Sequence, residues 1–185
     1  MLFERMMRAA RLDVNLYEEV EADLSATGQA GTVVGIVAVC GGIGAALAQI
    51  MAGNTGGAVL GFIGGLIMAF VGWIAWAYIT YWVGTSIFKG TATPGEMLRT
   101  IGFAQTPGIL NILAFVPVLG GIVGLVVFVW LIIAGVVAIR QALDISTGQA
   151  VITAIIGFIP MFLIYCLIGL VVGGGQAAWR LGTGA

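Results

Sequence analysis

Thr93–Pro117, TPGEMLRTIGFAQTPGILNILAFVP, joins the longest polar connection between apolar blocks to an apolar run that proline interrupts at both ends. Thr93 is a natural N-cap, Pro94 suits the first helical position, and Glu96 stands where a capping box needs an acid. Arg99 follows about one turn later. The spacing predicts a short helix at a membrane surface carrying one acid and one base. Pro107 removes a backbone donor inside the apolar run, and Asn111 comes one turn on.

Outward from this stretch the composition excludes water as the main solvent. Of 185 residues 61% are hydrophobic and 8% charged, with 30 glycines and a mean hydropathy of +1.14. Soluble domains carry about 25% charged residues. A net charge of −1 and the absence of a polybasic run give no signal for nucleic acid. The chain has no His, so the commonest zinc ligand and general base are missing and no metal or cofactor is expected. Cys40 and Cys166 both lie in apolar runs and read as small core residues rather than a redox pair. The first 25 or so residues lack the apolar core and cleavage site of a signal peptide, so the first membrane helix would act as an uncleaved insertion signal.

The fold class expected is an all-α polytopic transmembrane bundle of five membrane runs with N-terminal and central interfacial amphipathic helices. Residues 1–29 form a cytoplasmic interfacial segment, 30–175 the five-helix membrane domain and 176–185 a short exterior tail. In the first of these, Leu2, Phe3, Met6, Met7 and Ala10 oppose Arg5, Arg8 and Arg11, the pattern of a helix lying in the membrane interface or docking a cytosolic partner. A second short surface helix is expected over 13–24, with Leu16, Tyr17, Val20 and Leu24 at helical spacing.

The runs lie near 30–52, 56–83, 101–116, 119–138 and 149–172. In the first, Gly42 and Gly44 imitate a dinucleotide fingerprint, but Leu47 stands at the third glycine and no acid follows. Close helix approach explains these glycines better. In the second, Gly57, Gly61 and Gly65 recur every four residues, a stripe suited to a helix of this chain or of a second copy. Tyr81 and Trp82 suit the interfacial aromatic belt, with Trp73 and Trp76 deeper. The third run reaches only about 24 Å at 1.5 Å per residue, against a core of about 30 Å. It is therefore either a marginal span or one arm of a re-entrant hairpin. Pro160 should kink the fifth run, a glycine triplet closes it, and Trp179 and Arg180 anchor the tail. Thr27-Gly28-Gln29-Ala30 is echoed by Thr147-Gly148-Gln149-Ala150, read as shared capping chemistry.

With the N-terminus inside, Arg5, Arg8, Arg11, Lys89, Arg99 and Arg140 all face the cytoplasm and only Arg180 faces out. The positive-inside rule selects that orientation.

The chain resembles the Yip1 domain family. The likeness covers about Leu12 to Val172 and rests on the polar N-terminal segment, the five runs and Gly102-Phe103-Ala104-Gln105-Thr106-Pro107. Pro94-Gly95, Leu98-Arg99 and the Leu143-x-x-Ser146-Thr147-Gly148-x-Ala150 pattern look like the prokaryotic branch. The resemblance implies a helical integral membrane protein with a cytoplasmic N-terminus, no enzymatic activity and a bacterial or archaeal plasma membrane as its home. Eukaryotic members carry an Asp-Leu-Tyr-Gly-Pro motif in a longer tail that associates with small GTPases. Here Glu18-Glu19 follows Leu16-Tyr17, so GTPase binding is not carried over.

Three functions follow as alternatives. Catalysis is disfavoured, because the runs hold no His, Asp, Glu or Lys well inside the hydrocarbon. A pore or transporter subunit for ions or small neutral solutes would use Asn111, Gln105 and Gln49 at broken helices; the same side chains otherwise bond between helices. The favoured reading is a membrane-organising or adaptor protein. It would work through cytoplasmic interfacial helices, with Glu96, Arg99, Arg140 and Asp144 pairing across loops. Its partners would be the lipid bilayer and either a second copy, through Gly57, Gly61 and Gly65, or another membrane protein.

Overall fold

The computed structural model describes residues 1–160 together with Phe162, Leu163 and Cys166. The expected tail at 176–185 with Trp179 and Arg180, the glycine triplet and most of the fifth run beyond Pro160 lie outside them. All regular structure among the described residues is helical. In order these are α1 (Leu2–Ala10), α2 (Val14–Ala22), α3 (Ala26–Met51), α4 (Thr55–Phe88), α5 (Pro94–Ala104), a 3₁₀ helix (Thr106–Phe115) and α6 (Leu119–Leu143), then α7 (Thr147–Pro160). α3, α4 and α6 are long and apolar enough to cross a membrane, while the 3₁₀ helix and α7 are shorter apolar elements.

α3 and α4 form an antiparallel pair. Gly53, at φ +80, permits the turn between them. Asn54 then caps α4 by accepting from the Gly57 N–H at 3.0 Å. Glycines of α3 meet aromatics of α4 in register: Gly42 lies against Phe62, Gly35 against Phe70 and Gly31 against Trp73. α6 follows α4 in the same direction, Gly135 seating Trp76 and Leu143 filling the space beside Gly84.

The third apolar run differs from a plain span. Its first four residues complete α5, which Pro107 prevents from continuing. The chain then stretches into ten residues of 3₁₀ helix, rising about 2.0 Å per residue and so covering about 20 Å. This path runs alongside α3 in the same direction, with Gly102 against Ala30, Gly108 against Val37, and Asn111 against Gly41 and Gly44. Nine residues here accompany eleven to fourteen of α3, as the longer rise of a 3₁₀ helix requires. Gly44 is the closest approach, since a Cβ there would collide with the carbonyls of Asn111 and Ile112. Of the two glycines that imitate a nucleotide fingerprint, Gly44 therefore seats a backbone and Gly42 an aromatic ring.

Two expected surface helices are built into the bundle. α5 has the full capping box, Thr93 N–H donating to Glu96 at 2.6 Å and Glu96 N–H to the Thr93 hydroxyl at 3.3 Å. Met97, Arg99 and every residue from Thr100 to Ala104 are buried, so α5 packs within the bundle rather than on its surface. α2 buries Leu16, Tyr17 and Val20 completely, while Leu24 falls beyond it and is exposed. The Thr-Gly-Gln-Ala echo also divides. Ser146 and Gln149 form a capping pair at 3.0 and 3.4 Å, whereas Gln29 accepts from Arg5 at 3.1 Å. The first copy is spent on tertiary contact, not capping.

Candidate functional site

The end of the bundle that carries α1 and α2 also holds the α4–α5 and α6–α7 connections, and it gathers the polar chemistry of the chain. The last turn of α2 has no basic residue of its own, and the C-terminal half of the helix carries Glu18, Glu19 and Glu21, acids set against a helix C-terminus that favours cations. Arg99 of α5 supplies the missing cation. Only 3% exposed, it donates through Nε to the carbonyls of Val20 at 2.9 Å and Glu21 at 3.1 Å. A second nitrogen also reaches the Glu21 carbonyl, and a third the Thr27 hydroxyl at 3.5 Å. Alongside, Gln141 of α6 donates to Glu18, and Thr91 ties the α4–α5 connection to Asp144 at 2.9 Å.

The four charges expected to pair across loops therefore do not pair with one another among the described residues. Glu96 is used in its own cap, Arg99 on backbone carbonyls and Asp144 on Thr91. Arg140 is exposed, with no ion pair to the described residues. Burial decides the outcome, because an arginine enclosed by a helix end satisfies more donors on carbonyls than on one distant carboxylate. Glu18, Glu21 and Gln141 join this site without any sequence signal, since 78 residues separate Glu21 from Arg99 and 123 separate Glu18 from Gln141.

Glu21 is the strained member. One of its carboxylate oxygens is buried without a hydrogen-bond partner among the described residues. Desolvation, reinforced by the nearby charges of Glu18, Asp144 and Glu96, lifts its pKa from 4.5 to about 7. An unfolded chain releases that proton near the ordinary value, so stability declines as pH rises from 4.5 towards 7 and the full penalty stands above 7. Glu21→Gln should thus raise the thermal midpoint at pH 8 and leave it nearly unchanged at pH 4; equal shifts at both values would contradict this assignment.

α1 is held by ion pairs. Arg5 meets Glu19 at 2.8 Å and Asp23 at 2.9 Å, and Arg8 meets Asp13 at 2.7 Å and Glu19 at 2.6 Å. The hydrogen bond from Arg8 holds the carboxyls of both Asp13 and Glu19 below the usual range. The expected open basic face thus contracts to Arg11, because the following acidic segment folds back on the other two. The apolar face divides as well. Met6 and Ala9 pack into the bundle, while Phe3 and Met7 remain exposed at 73% and 41%. Trp130 of α6 fixes the end of α1 by donating to the Ala10 carbonyl at 2.8 Å.

The three intramembrane polar candidates do not converge. Gln49 sits at the opposite end of the bundle, accepting from Asn54 at 3.2 Å. Asn111 packs its backbone on Gly44. Gln105 lines a cleft of about 500 Å³ between α4, α5, α6 and α7, with Trp73, Trp76, Phe128, Ile132 and Phe158 among its walls. Of the helix-packing glycines, Gly57 adjoins the Asn54 cap, and Gly61 and Gly65 have open space where a Cβ would stand. Cys40 and Cys166 are both free thiols.

Compared with known proteins, residues 17–173 match the family described as Yip1 domain. No curated protein matches the chain, and no solved structure does.

Proposed function

The chain belongs to the Yip1 domain family, and we propose that it is a non-catalytic multi-pass membrane protein that organises the bilayer or docks a partner through the α1–α2 end. The observation that carries this reading is a helix pair locked to the bundle by Arg99, Gln141 and Trp130 while Phe3, Met7, Val14 and Leu24 project outward. A rigid platform with exposed apolar side chains needs no folding step to bind. The absence of His and the placing of the polar cluster at one end, away from any enclosed site, accord with a role without chemistry. Among the described residues Gln49, Gln105 and Asn111 stand apart, which weighs against the pore reading.

The orientation proposed has this end in the cytoplasm of a bacterial or archaeal cell and the C-terminus outside, after five crossings. Arg5, Arg8, Arg11, Lys89, Arg99 and Arg140 all belong to elements at that end, which favours the cytoplasmic side. Self-association along the open Gly61 and Gly65 face of α4 is part of the same proposal.

A photoreactive residue placed at Leu24, which is 80% exposed, tests the adaptor role in native membranes. The expected result is a discrete protein adduct. Recovery of only lipid and self would refute an adaptor function.

A further inference from the structure

The order in which α6 meets the first two helices sets their depth. Gln141, near the end of α6, holds Glu18 of α2. Trp130 holds the Ala10 carbonyl of α1 at 2.8 Å, and it stands near the middle of α6 (Leu119–Leu143). At 1.5 Å per residue that is about 20 Å from the end of the helix. α1 therefore lies beside α6, on the inner side of α2, rather than on top of the bundle. Its contacts agree, for it packs on α5 and on the 3₁₀ helix, which begins inside the third apolar run. Around Trp130 the outer surface of α6 is apolar, with Val126, Val129 and Ile133 exposed. A helix long and apolar enough to cross a membrane presents such side chains to lipid.

The helical period of α1 then decides what each side meets. Met6 and Ala9 share the side buried in the bundle. Arg5 and Arg8 share the side turned to α2, where Glu19 and Asp23 neutralise them. At 3.6 residues per turn, Phe3, Met7 and Ala10 fall within about 60° of one another on the edge opposite those arginines. Because α2 lies nearer the end of α6, the edge turned away from it points towards the membrane interior. Phe3 and Met7 stand exposed on it, and it adjoins the lipid-facing surface of α6 at Trp130. We propose that this edge of α1 is immersed in the acyl chains of the leaflet on the α1–α2 side, with Phe3 and Met7 as its lipid contacts. The inference rests on the reading of the α1–α2 end as the working end; it assigns one edge of that end to lipid and leaves Leu24 to a partner. A free amphipathic helix lies with its basic face on the headgroups. Here two of the three arginines of that face are spent on α2 and its flanks, so the contact is apolar, confined to one leaflet and held at a fixed depth by Trp130.

The test uses the full chain with Cys40→Ala and Cys166→Ala in phosphatidylcholine vesicles. One nitroxide at a time is attached at Phe3→Cys, Met7→Cys, Glu4→Cys or Arg11→Cys. Collision with oxygen, which concentrates in hydrocarbon, is compared with collision with a water-soluble nickel chelate. The oxygen-to-nickel ratio should be several-fold higher at positions 3 and 7 than at 4 and 11, which are also exposed but lie off this edge. Equal ratios at the four positions would overturn the proposal. Low collision with both reagents at 3 and 7 would mean that protein covers the edge, and would overturn it as well. Either result leaves the α1–α2 platform standing. Freely tumbling spectra at all four positions would instead show α1 detached from the bundle, and the platform reading would fall together with this one.

Discussion

Replacing Arg99 with Ala should release α2 from the bundle. The side chain is almost wholly enclosed and reaches the Val20 and Glu21 carbonyls and the Thr27 hydroxyl. Hydrogen bonds from a charged group contribute about 1.5–3 kcal/mol each, so losing contacts to two carbonyls costs on the order of 3 kcal/mol or more. Those carbonyls then lose the donor that holds them, and the helix end loses the cation seated on its last carbonyls. Limited proteolysis of vesicles with the α1–α2 end accessible reads the outcome directly. Cleavage between α2 and α3, near Asp23–Ser25, should accelerate strongly in Arg99→Ala. Arg99→Lys should recover only part of the protection, because an ammonium cannot reproduce the guanidinium fork. Unaltered cleavage in Arg99→Ala would mean that apolar burial alone holds α2.

The second large effect is expected from Gly44→Leu. A Cβ at this position meets the Asn111 and Ile112 carbonyls. Those are backbone atoms, which cannot swing aside as a flexible side chain would. Overpacking of this kind costs about 1–3 kcal/mol or more, and it strikes the contact that lets the 3₁₀ helix travel beside α3. The thermal midpoint of the purified protein in detergent should fall by many degrees. Gly61→Leu is the internal comparison, since that glycine faces open space. It should leave the midpoint of the monomer unchanged and act, if anywhere, on self-association read by elution volume. Equal midpoints for the two variants would show that the α3 seat tolerates a side chain.

Gly44 and Gly61 also show where reading the chain succeeds and stops. Both occur in glycine-rich apolar runs, and nothing local distinguishes the one that seats a backbone from the one that faces outward. The same holds for polar residues. Thr93 and Glu96 announce their capping box because its partners are three residues apart. Arg99, two turns further at most, suggests a surface charge yet lies buried, because its partners are 72 to 79 residues away. Glu21 and Gln141 carry no mark at all. The basic face of α1 was misleading for the same reason: Asp13, Glu19 and Asp23 are plainly present in the chain, but their return onto Arg5 and Arg8 is a property of the turn between α1 and α2.

What the amino-acid order determines by itself is the solvent and the helical class: long uncharged runs demand internal backbone hydrogen bonding in lipid, and Pro107 and the Thr93 cap mark helix ends by local chemistry alone. The family follows from the same order, read across most of the chain. Tertiary structure decides which glycines face a neighbour, that the run after Pro107 stretches as a 3₁₀ helix beside α3, that Arg99 caps α2, and that Gln105 opens on a cleft. Each of these depends on which side chain arrives from another helix, and such arrivals have no periodicity along the chain.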